Sequence, residues 1–408
     1  MKRIFLLGIL VSFTLLRAQE IQIKSLQAYA GNDQLALPVV IQSKEAKQNL
    51  TIEFDVKAPL EPNLVIEFKF ADLNWNPYQN LFLVNQGRNT TQTLWYETIR
   101  IPNSGADFHY KDSFPNFDIT FPFPGKWIFL IRDSMNKNKI YAQGSFFVVH
   151  NSIPIRQNIK REVTDDGRFG RIELNRAFSI DANFILPDSL HPANVTGVEI
   201  IENRKIYSPY QIGRINSGVR NYYFDGGRGF TFNARDIRPG NGYRSIDIRD
   251  RGRYPSPAAN ARFEEIDNSE FYSFRRHDLV GGSMIMNYRN ENSVYLKAKF
   301  RLRLPNEINK KVFITGSFCN WIVLPENELE PENGIYTKEI ELKRGEYDYQ
   351  YVLADLINGK LENIDWYTLE GNFWETDNDY HIFIYYFTPD KGGYNKIMGY
   401  KKIRSGGL

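Results

Sequence analysis

An all-β fold of two or three tandem β-sandwich domains is what this sequence predicts, and three observations predict it. The 408 residues are too many for one ordinary sandwich and comfortable for two or three. Aromatic residues make up 14%, including 24 Tyr and 29 Phe, and flat rings suit a pleated, half-buried surface. Apolar residues recur with a period of two, while helical periodicity is scarce and no repeat of solenoid length occurs. The 29 Gly and 19 Pro are spread along the chain, as turns between short strands require.

In chain order, residues 1–18 read as a signal peptide. Lys2 and Arg3 precede the apolar run Ile4 to Leu16, and Ala18 precedes the expected cut. Export with cleavage of this segment is expected. The block 19–151 is expected to be an N-terminal β-sandwich. Alternation is clear in Leu50 to Val56 and Leu64 to Phe70, Pro59 and Pro62 break the chain between them, and further strands read at Lys126 to Arg132 and Ser145 to His150.

An Arg-rich middle β domain is expected over 152–282. From Arg204 to Arg253 there are ten Arg and one Lys against four Asp, a net +7. A C-terminal β-sandwich is expected over 283–408. It opens with Val294 to Leu304, where one face is apolar and the other carries four cations. From Asn320 to Asp390 sixteen acids face four bases, a net −12. Opposite blocks either fix one another or meet a charged partner, and charge alone leaves both open. The whole-chain charge of +3 gives no argument for nucleic acid.

Catalytic and cofactor patterns are not apparent, so no enzyme, cofactor, metal or small-molecule substrate is expected. His109, His150, His191, His277 and His381 are scattered without metal-ligand spacing. Cys319 is the single thiol and reads as a small buried hydrophobe. Gly226 to Gly229 and Asp165-Asp166-Gly167 read as turns, and Glu326 to Glu332 as a solvated loop.

Val312 to Trp321, followed by Gly345 to Tyr351, resembles the starch- and glycogen-binding immunoglobulin-like modules, which implies an early-set immunoglobulin-like sandwich. Polysaccharide binding is the alternative function, with Trp321, Trp366 and Trp374 as platforms.

A wider resemblance runs along nearly the whole mature chain. Its parts are Val65 to Phe70 leading to Asn74-Trp75, His109-Tyr110, Phe114-Pro115-Asn116, and Gly125 to Leu130. Asn241 to Arg249, Gly345 to Val352 and Leu369 to Tyr380 continue it in order. Together these resemble the Plug protein family of the bacterial type IX secretion system. Ala71 to Asn74 departs from the family's His-Cys before its Asp-Trp, and Gly242-Tyr243 from its Glu-Phe. The resemblance implies a non-enzymatic periplasmic protein that closes the inner mouth of a large outer-membrane β-barrel translocon by protein–protein contact, without itself spanning the membrane. The contact surface expected from charge is Arg235, Arg238, Arg249, Arg251 and Arg253; the alternative is that these Arg pair with the acidic third block.

Overall fold

A computed structural model describes residues 21–43, 47–84, 87–164, 172–214, 221–262, 265–269, 278–305 and 308–406. The expected signal peptide, Asp165-Asp166-Gly167 and His277 lie outside them. About 52% of the chain is strand and 5% helix, and the described residues form six mostly antiparallel sheets. The all-β class is as the sequence predicts.

Each pair of sheets encloses one apolar core. In the N-terminal sandwich, strands Gln22–Ala30, Leu50–Lys57 and Phe108–Phe114 face the sheet containing Leu64–Ala71, Gly125–Asp133 and Ile140–Val149. Ile52, Phe54, Phe68, Phe129 and Phe146 fill the space between them.

The other two sandwiches are nested. Strands Arg156–Val163, Arg176–Ile185, Gly229–Ile237 and Tyr222–Phe224 form one sheet of the middle sandwich. Its second sheet runs Tyr210–Gly213, Val195–Glu202, Asp379–Thr388, Tyr394–Arg404. The last two strands of the chain therefore complete the middle sandwich, with Val198 opposite Ile384. A third sandwich, from Arg244–Asp247 to Lys360–Asp365, is inserted between the two parts.

This division differs from the blocks expected at 152–282 and 283–408. The strand Arg244–Asp247 pairs with Gly345–Ile357 in the inserted sandwich, whereas Asp379–Thr388 pairs backwards into the middle one. The acidic composition that marks the third block runs through the return crossing to Asp390, so no shift in composition marks it.

The alternation in Val294 to Leu304 is realised in the strand Tyr295–Arg303. Leu296, Ala298, Phe300 and Leu302 are buried, while Lys297 and Lys299 stand opposite Glu341 and Glu339 on the other face. Two strands lose alternation for a physical reason: the N-terminal and middle sandwiches meet back to back. Leu37, Val39, Phe147 and Val149 pack against Ile201, Phe383, Tyr385 and Ile397 in a core of their own. Asp379–Thr388 is consequently buried on both faces; Gly125–Asp133 is too, with Ile128 and Leu130 covered by Trp75, and both strands read as almost unbroken apolar runs.

Candidate functional site

The polar groups of the back-to-back contact are organised around Lys126. Its Nζ donates to Glu199 Oε2 at 2.9 Å and to the Leu73 carbonyl at 2.8 Å, and lies 4.5 Å from the centre of the Trp75 ring. Both charged side chains are almost fully buried, at 1% and 2% exposure. Burial pulls the ammonium below its ordinary range and pushes the carboxyl up, and each ion opposes that shift in the other. Gln211 Nε2 donates to the same carboxylate oxygen at 3.1 Å. Aromatic packing closes the joint: Phe147 stacks on Phe383 at 4.5 Å, and Trp75 meets Phe147 edge-on at 5.1 Å.

Arg204 pins a second point of this contact. Its guanidinium donates to the carbonyls of Ala28, at 3.1 Å, Gln34 and Ala36, all in the N-terminal sandwich. Burial pushes it down to about 10, partly offset by Asp33.

Asp55 ties the N-terminal sandwich to the inserted one. Its carboxylate receives Lys343 at 2.6 Å, Tyr295 Oη at 3.0 Å and His109 Nδ1 at 2.8 Å. Burial would raise this carboxyl, yet His109 and Lys343 outweigh it and hold the group below its ordinary value. Tyr288 stacks on the His109 ring at 3.8 Å, and Arg289 pairs with Glu97 at 2.8 Å.

The two crossings between the middle and inserted sandwiches are bolted to one another. Asn372 Oδ1 accepts from Gly240 N at 2.8 Å, Phe373 N donates to Gly240 O at 2.8 Å, and Asn378 Nδ2 donates to Pro239 O at 2.7 Å. Asn203 donates to both Tyr243 and Asn378 at 2.8 Å. Arg244 holds Glu370 at 2.9 Å and Asp267 at 3.2 Å, and Tyr349 and Tyr351 also donate to Asp267. Nearby, Asp348 accepts from Ser245 at 2.6 Å and from the Leu279 and Gly281 amides at 2.8 Å. Burial still pushes its carboxyl up to about 7.

A cleft of about 360 Å³ opens where all three sandwiches meet, lined by Asp33, Asp278, Asp379, His381, Lys402 and Arg404 among others. Burial, with Lys402 and Arg204 nearby, holds His381 down to about 3, so its imidazole is neutral. Lys402 pairs with Asp379 at 2.7 Å. Among the described residues no group of three His, Cys, Asp or Glu is placed to hold a metal ion. Cys319 is partly buried beside Thr315, Gly316 and Ile322, and burial pushes its thiol up, away from nucleophilic reactivity.

The five Arg expected to form one contact surface are not together. Arg235 is exposed on the middle sandwich, where its Nε donates to Asn233 at 2.8 Å. Arg238 is 6% exposed at the outgoing crossing, 5.6 Å from the Tyr367 ring centre, so burial removes it from any surface. Arg249, Arg251 and Arg253 are exposed on the inserted sandwich. Arg249 is held there by Asp247 at 2.7 Å and Glu346 at 2.8 Å. The three Trp weighed as sugar platforms are also engaged. Trp321 is 2% exposed and donates to Gly281 O, Trp374 donates to Ala177 O, and Trp366 lies 4.9 Å from Lys205 Nζ.

What sequence reasoning missed are the large apolar side chains on loops at one end of the N-terminal sandwich. Leu60, Trp95 and Met135 are 79%, 78% and 89% exposed. The backbone brings them to one edge: Leu64 pairs with Asp133, Leu94 N donates to Leu64 O, and Ser134 N donates to Asn63 O. Phe117, Leu81 and Phe82 are exposed elsewhere on the same sandwich. An apolar residue flanked by turn formers, as in Ala58-Pro-Leu-Glu-Pro62 and Ser134-Met-Asn136, was the available signal.

No family model matches this sequence, and no curated protein matches it. Among solved structures, the crystal structure of a hypothetical protein from Parabacteroides merdae is similar, with a TM-score of 0.74 at 16% identity. The match covers 94% of this chain and 97% of that one. At that identity the likeness establishes a shared fold across nearly the full length of both chains. No helix among the described residues is long and apolar enough to cross a membrane.

Proposed function

We propose that this chain is a non-enzymatic periplasmic component of the type IX secretion machinery that closes the periplasmic mouth of an outer-membrane translocon barrel by protein–protein contact. One observation carries the reading: three sandwiches are locked into one body by buried ion pairs, while Leu60, Trp95 and Met135 project from one end of it. A plug must hold its shape against a large opening, and buried ion pairs that span the joints resist hinge motion because opening a joint strands an ion. An exposed Trp such as Trp95 is the kind of anchor that supplies much of the energy at protein contacts, and apolar neighbours such as Leu60 and Met135 exclude water around it.

The ordered motifs that resemble the Plug family support the same reading in a second way. Trp75 lies in the Lys126 joint, and Leu369 to Tyr380 is the return crossing bolted to Gly240 and Pro239. The motifs thus coincide with what holds the sandwiches together. A tagged chain purified from its native envelope should bring down a very large outer-membrane barrel. A preparation with no barrel, from envelopes that contain one, would contradict the proposal.

A further inference from the structure

The outer face of the first sheet of the middle sandwich carries a row of side chains that the joints do not use. Arg156 stands opposite Asn183, Asn183 opposite Thr231, and Thr231 opposite Tyr223. Directly opposed residues share a face, so the four side chains form a line across four strands, about 14 Å long at ordinary strand spacing. Below the line, Phe184 stacks on Phe230 at 5.3 Å and Phe224 on Phe230 at 4.7 Å, which gives it a packed aromatic floor. All four residues border an open cleft of about 410 Å³, with Ile185 and Asp225 also on its wall. Tyr223 is 63% exposed and Ile185 68%.

The chemistry of the row is specific. Thr231 Oγ1 donates to Asn183 Oδ1 at 2.7 Å, which leaves the Asn183 Nδ2 hydrogens as donors beside the Thr231 lone pairs as acceptors. A donor next to an acceptor matches two neighbouring hydroxyls on one pyranose ring. At one end, the Tyr223 ring offers an apolar platform for the face of a sugar. At the other, Arg156 is exposed at the end of the row, and its planar fork suits a carboxylate.

We propose that this row binds an oligosaccharide carrying an acidic sugar, with one pyranose on Tyr223 and a carboxylate at Arg156. The site is separate from the three Trp of the inserted sandwich and its return crossing, and does not depend on the secretion reading. Calorimetric titration of the full chain with trigalacturonate, and with maltotriose as a neutral counterpart, tests it. Saturable binding is expected for trigalacturonate, at least about tenfold tighter than for maltotriose. Tyr223→Ala should weaken it about tenfold or more, and Arg156→Gln should remove the preference for the acidic sugar. Both side chains are exposed, so each variant should keep the wild-type melting temperature and circular dichroism. Absence of saturable binding, or binding that Tyr223→Ala leaves unchanged, would overturn the site. Equal affinity for the two sugars would overturn its assignment to an acidic ligand.

Discussion

Lys126 and Glu199 sit 2.9 Å apart in a joint where neither meets water, and each is tolerable only because the other is present. Truncating one partner leaves a buried charge unpaired, at a cost of about 3–5 kcal/mol, whereas replacing both with apolar groups removes the penalty along with the attraction. Lys126→Met should therefore be strongly destabilising, and Lys126→Met with Glu199→Met should recover most of the loss, read by chemical denaturation. Equal and additive losses would show that the two charges are not coupled. Asp348 gives a pH-dependent counterpart. Its folded-state pKa, about 7, lies above the ordinary carboxyl value of about 3.9. Its contribution is thus fully present below the ordinary value and is lost as pH rises through the folded one. Relative to Asp348→Asn, the wild type should lose stability between about pH 4 and pH 8. A constant difference across that range would place the Asp348 carboxyl in its ordinary range.

At the scale of elements, the strand Val195–Glu202 lies between Tyr210–Gly213 and Asp379–Thr388, so one of its two partners arrives only after the whole inserted sandwich. A chain ended after Asp377 loses both terminal strands. Amide exchange should then show protection lost in Val195–Glu202 and kept in Tyr295–Arg303, whose partners Ala258–Asn260 and Ile335–Lys343 remain. Protection persisting in Val195–Glu202 would contradict the nested arrangement. Strands of this kind were partly legible in the sequence. Period-two runs such as Leu50 to Val56 and Val294 to Leu304 gave position and the face that meets the core, but the second face of Leu50 to Val56 is not in solvent, since Thr51 and Asp55 are buried there. The nesting was not legible, since a strand's partner is set by shape and distance in space, and the acidic composition continues unbroken across the return crossing. The back-to-back contact did leave a trace. Ile382 to Phe387 is an unbroken apolar run, which a strand needs only when both of its faces are covered, and Trp127 to Ile131 is another, its outer face lying under Trp75.

For the molecule as a whole, the opposite charges of the middle and last blocks are used in part within the fold: Arg244 with Glu370, and Arg249 with Glu346. Charge counts along the chain pointed to Arg as a contact group, but facing cannot be counted, and Arg238 turns inward while Arg235 and Arg251 turn outward. The exposed apolar end is a different kind of surface, built by Leu60, Trp95 and Met135 from three separate loops. If the chain seals a barrel as one stiff body, that end is where contact energy should concentrate. The measurement that tests this most directly is capture of the barrel from native envelopes by the tagged wild-type chain beside a Leu60→Ser, Trp95→Ser, Met135→Ser variant. The wild type should retain the barrel, and the variant, with unchanged melting temperature, should retain at least about tenfold less. Wild-type chain that captures no barrel, or a variant that captures it equally well, would contradict the proposal.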